Sequence, residues 1–106
     1  MSKKSITKIP AHIRSQVEEL ISDFNKKNHT DYVARFKSGY VYFDRASMRA
    51  PVFRLKFSGN MTQWDFAIYK YSSGSYDPNE WLFPGAELVN GTVEGAMKAG
   101  LEAYPV

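Results

Sequence analysis

Three runs of this chain alternate apolar with polar or aromatic residues: Tyr40-Val41-Tyr42-Phe43, Phe53-Arg54-Leu55-Lys56-Phe57 and Phe66-Ala67-Ile68-Tyr69-Lys70-Tyr71. Successive side chains of a strand point to opposite faces of its sheet, so a period of two sorts residues into two sets. One set is Val41, Phe43, Phe53, Leu55, Phe57, Phe66 and Ile68, a hydrophobic core. The other is Tyr40, Tyr42, Arg54, Lys56, Tyr69 and Tyr71, with Asp44 and Asp65 on the same side by parity. That second face is too aromatic for an ordinary solvent surface, and it is the candidate binding surface.

The alternation continues into a meander. A strand over Asp31–Lys37 and one over Tyr40–Arg45 flank Ser38-Gly39, a hairpin signal. Ala46–Ala50 reads as a polar connection, Pro51 opens a third strand over Val52–Ser58, and Gly59-Asn60 turns into a fourth over Gln63–Ser72. Short links between sequential strands favour antiparallel pairing. Ahead of the strands, Ile13, Val17, Leu20, Ile21 and Phe24 recur at helical spacing, with Pro10 suited to the first turn and Asn28-His29 as the stop. After them, Thr92 is an N-cap for a second helix whose stripe is Val93, Met97, Leu101 and Tyr104, flanked by small Ala96, Ala99 and Gly100. Between the last strand and this helix, residues 76–91 read as a long loop, with Trp81-Leu82-Phe83 folding back onto the core and able to supply an extra edge strand.

The expectation is a single α+β domain over residues 1–106, with residues 1–8 as a disordered tail. It is a two-layer sandwich of N-terminal helix, four-stranded antiparallel meander, long loop and C-terminal helix. Both apolar stripes need the same sheet face, which leaves the tyrosine face open.

Composition narrows the function classes. The chain has 106 residues, 43% of them hydrophobic, enough for a core in one domain. No apolar run approaches the roughly 18 residues of a membrane span, and the basic N-terminus leads into no apolar stretch, so no membrane association and a cytoplasmic location are expected. The absence of cysteine removes disulfides and thiol chemistry. Residues 1–58 carry twelve Lys and Arg against five Asp and Glu, and residues 59–106 carry two against six. The halves are thus of opposite sign, which suits attraction within the domain or between copies.

Catalytic and cofactor signatures are missing. His12 and His29 stand apart without metal-ligand spacing, and Gly85, Gly91 and Gly95 match no phosphate-binding loop. Tyr76, Asp77, Glu80 and Trp81 could outline an acidic-aromatic pocket for a small enzyme, but loop chemistry explains them better. No enzyme activity and no cofactor are therefore expected. The tyrosine and basic face fits three uses: cross-strand pairing alone, a homodimer or protein-partner interface rich in tyrosine and arginine, or a platform for single-stranded nucleic acid.

Trp64-Asp65-Phe66-Ala67-Ile68-Tyr69-Lys70-Tyr71-Ser72, Tyr76-Asp77-Pro78 and Gly91-Thr92-Val93-Glu94-Gly95-Ala96 follow one another in an order that resembles a family of small uncharacterised bacterial proteins. The resemblance covers the second half of the chain, with a weaker echo in Pro51–Phe57. It implies a bacterial, intracellular, single-domain protein and carries no catalytic residue across.

Overall fold

The computed structural model describes residues 8–105. The tail expected over residues 1–8 lies, apart from exposed Lys8, outside the described residues.

Helix α1 (Ala11–Asn28) buries Ile13, Val17, Ile21 and Phe24, the face that its spacing sets out. Pro10 sits at its N-cap, where its carbonyl accepts from the Ile13 and Arg14 amides. His29 ends the helix in the left-handed conformation, φ 54°. Asn25 then ties this end to the first strand. Its Oδ1 accepts from the Tyr32 amide at 3.0 Å, and its Nδ2 donates to the Tyr32 carbonyl at 3.0 Å. One side-chain amide thereby satisfies both backbone groups of the residue that starts β1.

Five strands follow: β1 (Tyr32–Lys37), β2 (Tyr40–Arg45), β3 (Ala50–Lys56), β4 (Asp65–Lys70) and β5 (Ser75–Asp77). They form one antiparallel sheet in sequence order. The class is α+β, as expected, but the strand number is five rather than four. The extra strand is not Trp81–Phe83. It is Ser75–Asp77, which pairs with β4 because the Lys70 carbonyl collects the Ser73 and Gly74 amides and turns the chain back at once.

Pro51 also differs from expectation: it lies inside β3, not at its start. Phe43 pairs with Phe53 and Asp44 with Pro51, so Val52 is a bulge opposite no residue of β2. A bulge is one of the few places where a strand tolerates proline, which has no N–H to offer the ladder. It also breaks the parity, so that Val52 and Phe53 are buried side by side.

After β5 a 3₁₀ turn at Ala86–Leu88 leads to helix α2 (Val93–Ala103). Gly91, at φ 90°, makes the bend into it, and Thr92 Oγ1 accepts the Gly95 amide at 3.0 Å. The buried face of α2 is Val93, Gly95, Ala96, Met97, Ala99 and Gly100. The small residues are thus central to the packing, not beside it, while Leu101 and Tyr104 are only half-buried. α1 touches β1 and α2, and α2 touches β3. The buried residues of both helices join Tyr32, Val41, Phe43, Phe53, Leu55, Phe66 and Ile68 in one core. Phe43, Phe53 and Phe66 stack in series across three strands, with centroids 4.4 and 5.2 Å apart.

Candidate functional site

The outer face carries a continuous row of tyrosines. Ring centroids lie 6.0 Å apart for Tyr40 and Tyr42, 5.3 Å for Tyr42 and Tyr76, 5.0 Å for Tyr76 and Tyr69, and 4.8 Å for Tyr69 and Tyr71. Tyr71 continues to Tyr104 at 5.4 Å. Most of these contacts are edge-to-face, the arrangement that the ring quadrupole favours. The row exists because Tyr69 and Tyr76 are register partners, so the edge strand β5 puts its one aromatic ring on the outer face, in contact with Tyr69 of β4 and Tyr42 of β2.

Arginines are laid over this row. The Arg54 guanidinium is 4.8 Å from the Tyr40 ring and 5.5 Å from the Tyr76 ring, and Arg35 is 5.1 Å from Tyr42. Arg35 is also committed to Asp44, with Nε donating at 2.7 Å and Nη2 at 3.3 Å. This pairing raises the pKa of Arg35 further. Burial pushes the Tyr76 phenol up, and the neighbouring Asp44 charge adds to the effect. Arg54 has no carboxylate partner among the described residues, and exposed Asp65 has no cationic one.

Of the six residues read as the binding surface, Tyr40, Tyr42, Arg54 and Lys56 lie on the outer side of β2 and β3, and Tyr69 lies on β4. Tyr71 falls just past the end of β4, 54% exposed, and donates from its hydroxyl to the Pro51 carbonyl at 2.7 Å. Tyr76, read from sequence as a loop residue, is the missing member. Its signal was parity counted back from the Gly74 turn.

The segment after β5 borders this face. Pro78 and Trp81, with Tyr40, Arg54, Asp65 and Ala67, line a shallow cavity of about 370 Å³. Trp81 is 46% exposed and packs on Phe66 at 6.0 Å, and neighbouring Leu82 is 95% exposed. The four residues that could have outlined a small enzyme's pocket do not converge. Tyr76 belongs to the tyrosine row, while Asp77 and Glu80 turn to Lys70 Nζ at 3.7 and 2.9 Å. Glu80 also accepts the Leu82 amide at 3.0 Å, and Lys70 together with that amide holds its carboxyl below the usual range.

Among the described residues no helix is long and apolar enough to cross a membrane. Among the described residues no group of His, Asp and Glu is placed to hold a metal ion. No family model, curated protein or solved structure matches the chain.

Proposed function

We propose that this chain is a non-enzymatic intracellular binding module that self-associates through its outer sheet face, two copies meeting about a two-fold axis. A two-fold interface places one patch against itself, so the patch must hold both halves of every charge pair. The observation that carries the reading is that Arg54 and Asp65 line the same cavity, neither with an ion-pair partner among the described residues. Facing copies can satisfy both charges twice. The tyrosine row and exposed Trp81 supply the rigid aromatic area that interface centres favour.

Sedimentation equilibrium over a concentration series tests this. The wild-type chain is expected to dimerise, Arg54→Glu to be monomeric, and Arg54→Glu combined with Asp65→Arg to recover the dimer. A wild-type monomer at every concentration would refute the reading.

Single-stranded nucleic acid on the same residues is the second reading, favoured by Arg54 lying beside half-exposed Trp81. It requires retention of oligothymidylate that falls steeply with salt. Under it, Asp65→Arg would strengthen binding by itself, an outcome that self-association does not produce.

A further inference from the structure

Strand β1 is one edge of the sheet, and its pairing with β2 fixes which of its backbone groups are spent. In an antiparallel ladder, alternate residues exchange both backbone hydrogen bonds with the residue opposite, and the residues between them point the other way. The Ala46 amide donates to the Asp31 carbonyl at 3.0 Å, which makes Asp31 a bonded position and, in steps of two, Val33, Arg35 and Lys37 as well. The N–H and C=O groups of Tyr32, Ala34 and Phe36 therefore point out of the open edge. Those of Tyr32 are taken by Asn25, whose side-chain amide binds the edge as a neighbouring strand would. Those of Ala34 and Phe36, both only partly buried residues, have no partner among the described residues.

Cations surround this edge. Lys37 is exposed at the end of β1, and the Arg14 guanidinium lies 5.0 Å from the Phe36 ring. Lys8 and Arg14, with Ile9, Phe36 and Ser38, line a cavity of about 450 Å³ at the same end of the strand. Lys8, Arg14 and Lys37 have no ion-pair partner among the described residues, whereas Arg35 is neutralised by Asp44. Glu18, one turn further along α1, is exposed and pairs with none of them. It shares a stripe of the helix with Arg14 and Asn25, which places it toward Ala34 and away from Phe36. A second copy of β1 does not suit this edge. In the two-fold register that uses both Ala34 and Phe36, these two residues pair across the copies and Arg35 faces Arg35; in the next, Arg35 faces Lys37. Like charges directly opposite one another are destabilising.

We propose that the β1 edge docks an extended acidic segment of a partner protein, added antiparallel as a sixth strand, with a carboxylate opposite Phe36 and an apolar residue opposite Ala34. Residues opposite one another in a sheet share a face. The carboxylate therefore falls on the helix side beside Arg14 and Lys8, and the apolar side chain extends the rim of the core that Ala34 joins. The main chain supplies affinity and the cations select the sequence. The outer tyrosine face is not used, so this site stands or falls separately from self-association there.

The test is an NMR titration of the intact chain with the blocked peptide acetyl-Thr-Glu-Thr-Val-Thr-amide. It is expected to shift the Ala34 and Phe36 amides saturably and to slow their hydrogen exchange, with Tyr76 and Arg54 unmoved. The same peptide with Lys in place of Glu should bind at least about fivefold more weakly. Ala34→Pro removes an N–H that β2 does not use, a substitution that an edge strand tolerates. It should abolish binding while the circular dichroism spectrum is retained. A peptide N-methylated at Glu and Val, which cannot donate to the edge, makes the same test on the unaltered chain and should not bind. Shifts that do not saturate, equal or tighter binding of the Lys peptide, or undiminished binding of the N-methylated one would each overturn the proposal. So would Ala34 and Phe36 shifts that grow with the concentration of the chain alone, which would assign the edge to a second copy.

Discussion

Tyr32 donates its phenol proton to the Met97 carbonyl at 2.9 Å, joining the first strand to the last helix through the middle of the core. Burial pushes the phenol's pKa far up, so it remains a neutral donor throughout the accessible pH range. Tyr32→Phe keeps the ring contacts with Phe24, Phe43 and Phe53 and deletes only the hydroxyl. The expected loss is about 1–2 kcal/mol, read as a lower urea midpoint with unchanged slope.

Gly100 makes that approach possible. A Cβ there would meet the Tyr32 hydroxyl first, then Val52 Cγ1 at 2.9 Å and Phe53 Cδ2 at 3.2 Å. In an exposed helix, Gly→Ala stabilises by about 1 kcal/mol. Here all three neighbours are fully buried, and forcing them apart costs about 1–3 kcal/mol. Gly100→Ala is therefore expected to lower the melting temperature, the reverse of its usual effect, and Tyr32→Phe should relieve part of the loss in the double variant.

Asp31 sets an acid limit on stability. The Ser47 hydroxyl, the Arg45 guanidinium and the Ser47 amide hold its carboxyl at about 2 against an ordinary 3.8. The folded state then binds fewer protons than the unfolded chain below about pH 4. The stabilisation is present above that pH and is lost as the pH falls through about 2. Asp31→Asn should lower stability at neutral pH and flatten the stability profile between about pH 4 and about pH 2, measured by urea unfolding at a series of pH values.

Tyr76 is the hub of the outer face, touching Tyr42, Tyr69 and Arg54, whereas Tyr40 ends the row. Tyr76→Ser should cost roughly 2 kcal/mol, and Tyr40→Ser about half as much. Thermal unfolding at low protein concentration separates this from any effect on self-association.

The helices, the α+β class and the two sheet faces were legible because each rests on an uninterrupted period: 3.6 at Ile13, Val17, Ile21 and Phe24, and 2.0 at Tyr40 to Phe43 and Phe53 to Phe57. What escaped lies where a period breaks or is too short to count. β5 holds three residues with one aromatic, fewer than periodicity needs. Val52 violates parity because a bulge precedes Phe53, and Pro51 marked that irregularity without revealing its direction. Arg45, at the last position of the strand read over Tyr40–Arg45, keeps the inward parity of Val41 and Phe43, yet a charged residue is not one that the core set collects. Sequence does not show that Asp31 and the end of α2 meet it there.

The contact between α1 and α2 brings the two ends of the described chain together over the sheet. Every strand pairs with its neighbour in sequence, so the hairpins can zip up one after another as the chain leaves the ribosome. The core cannot close on the same schedule. Tyr32 waits for Met97, sixty-five residues downstream, and until then Phe43, Phe53 and Phe66 lack half of their cover. A nascent chain halted before Val93 would therefore present a ready-made sheet with one greasy side, the species most in need of a chaperone.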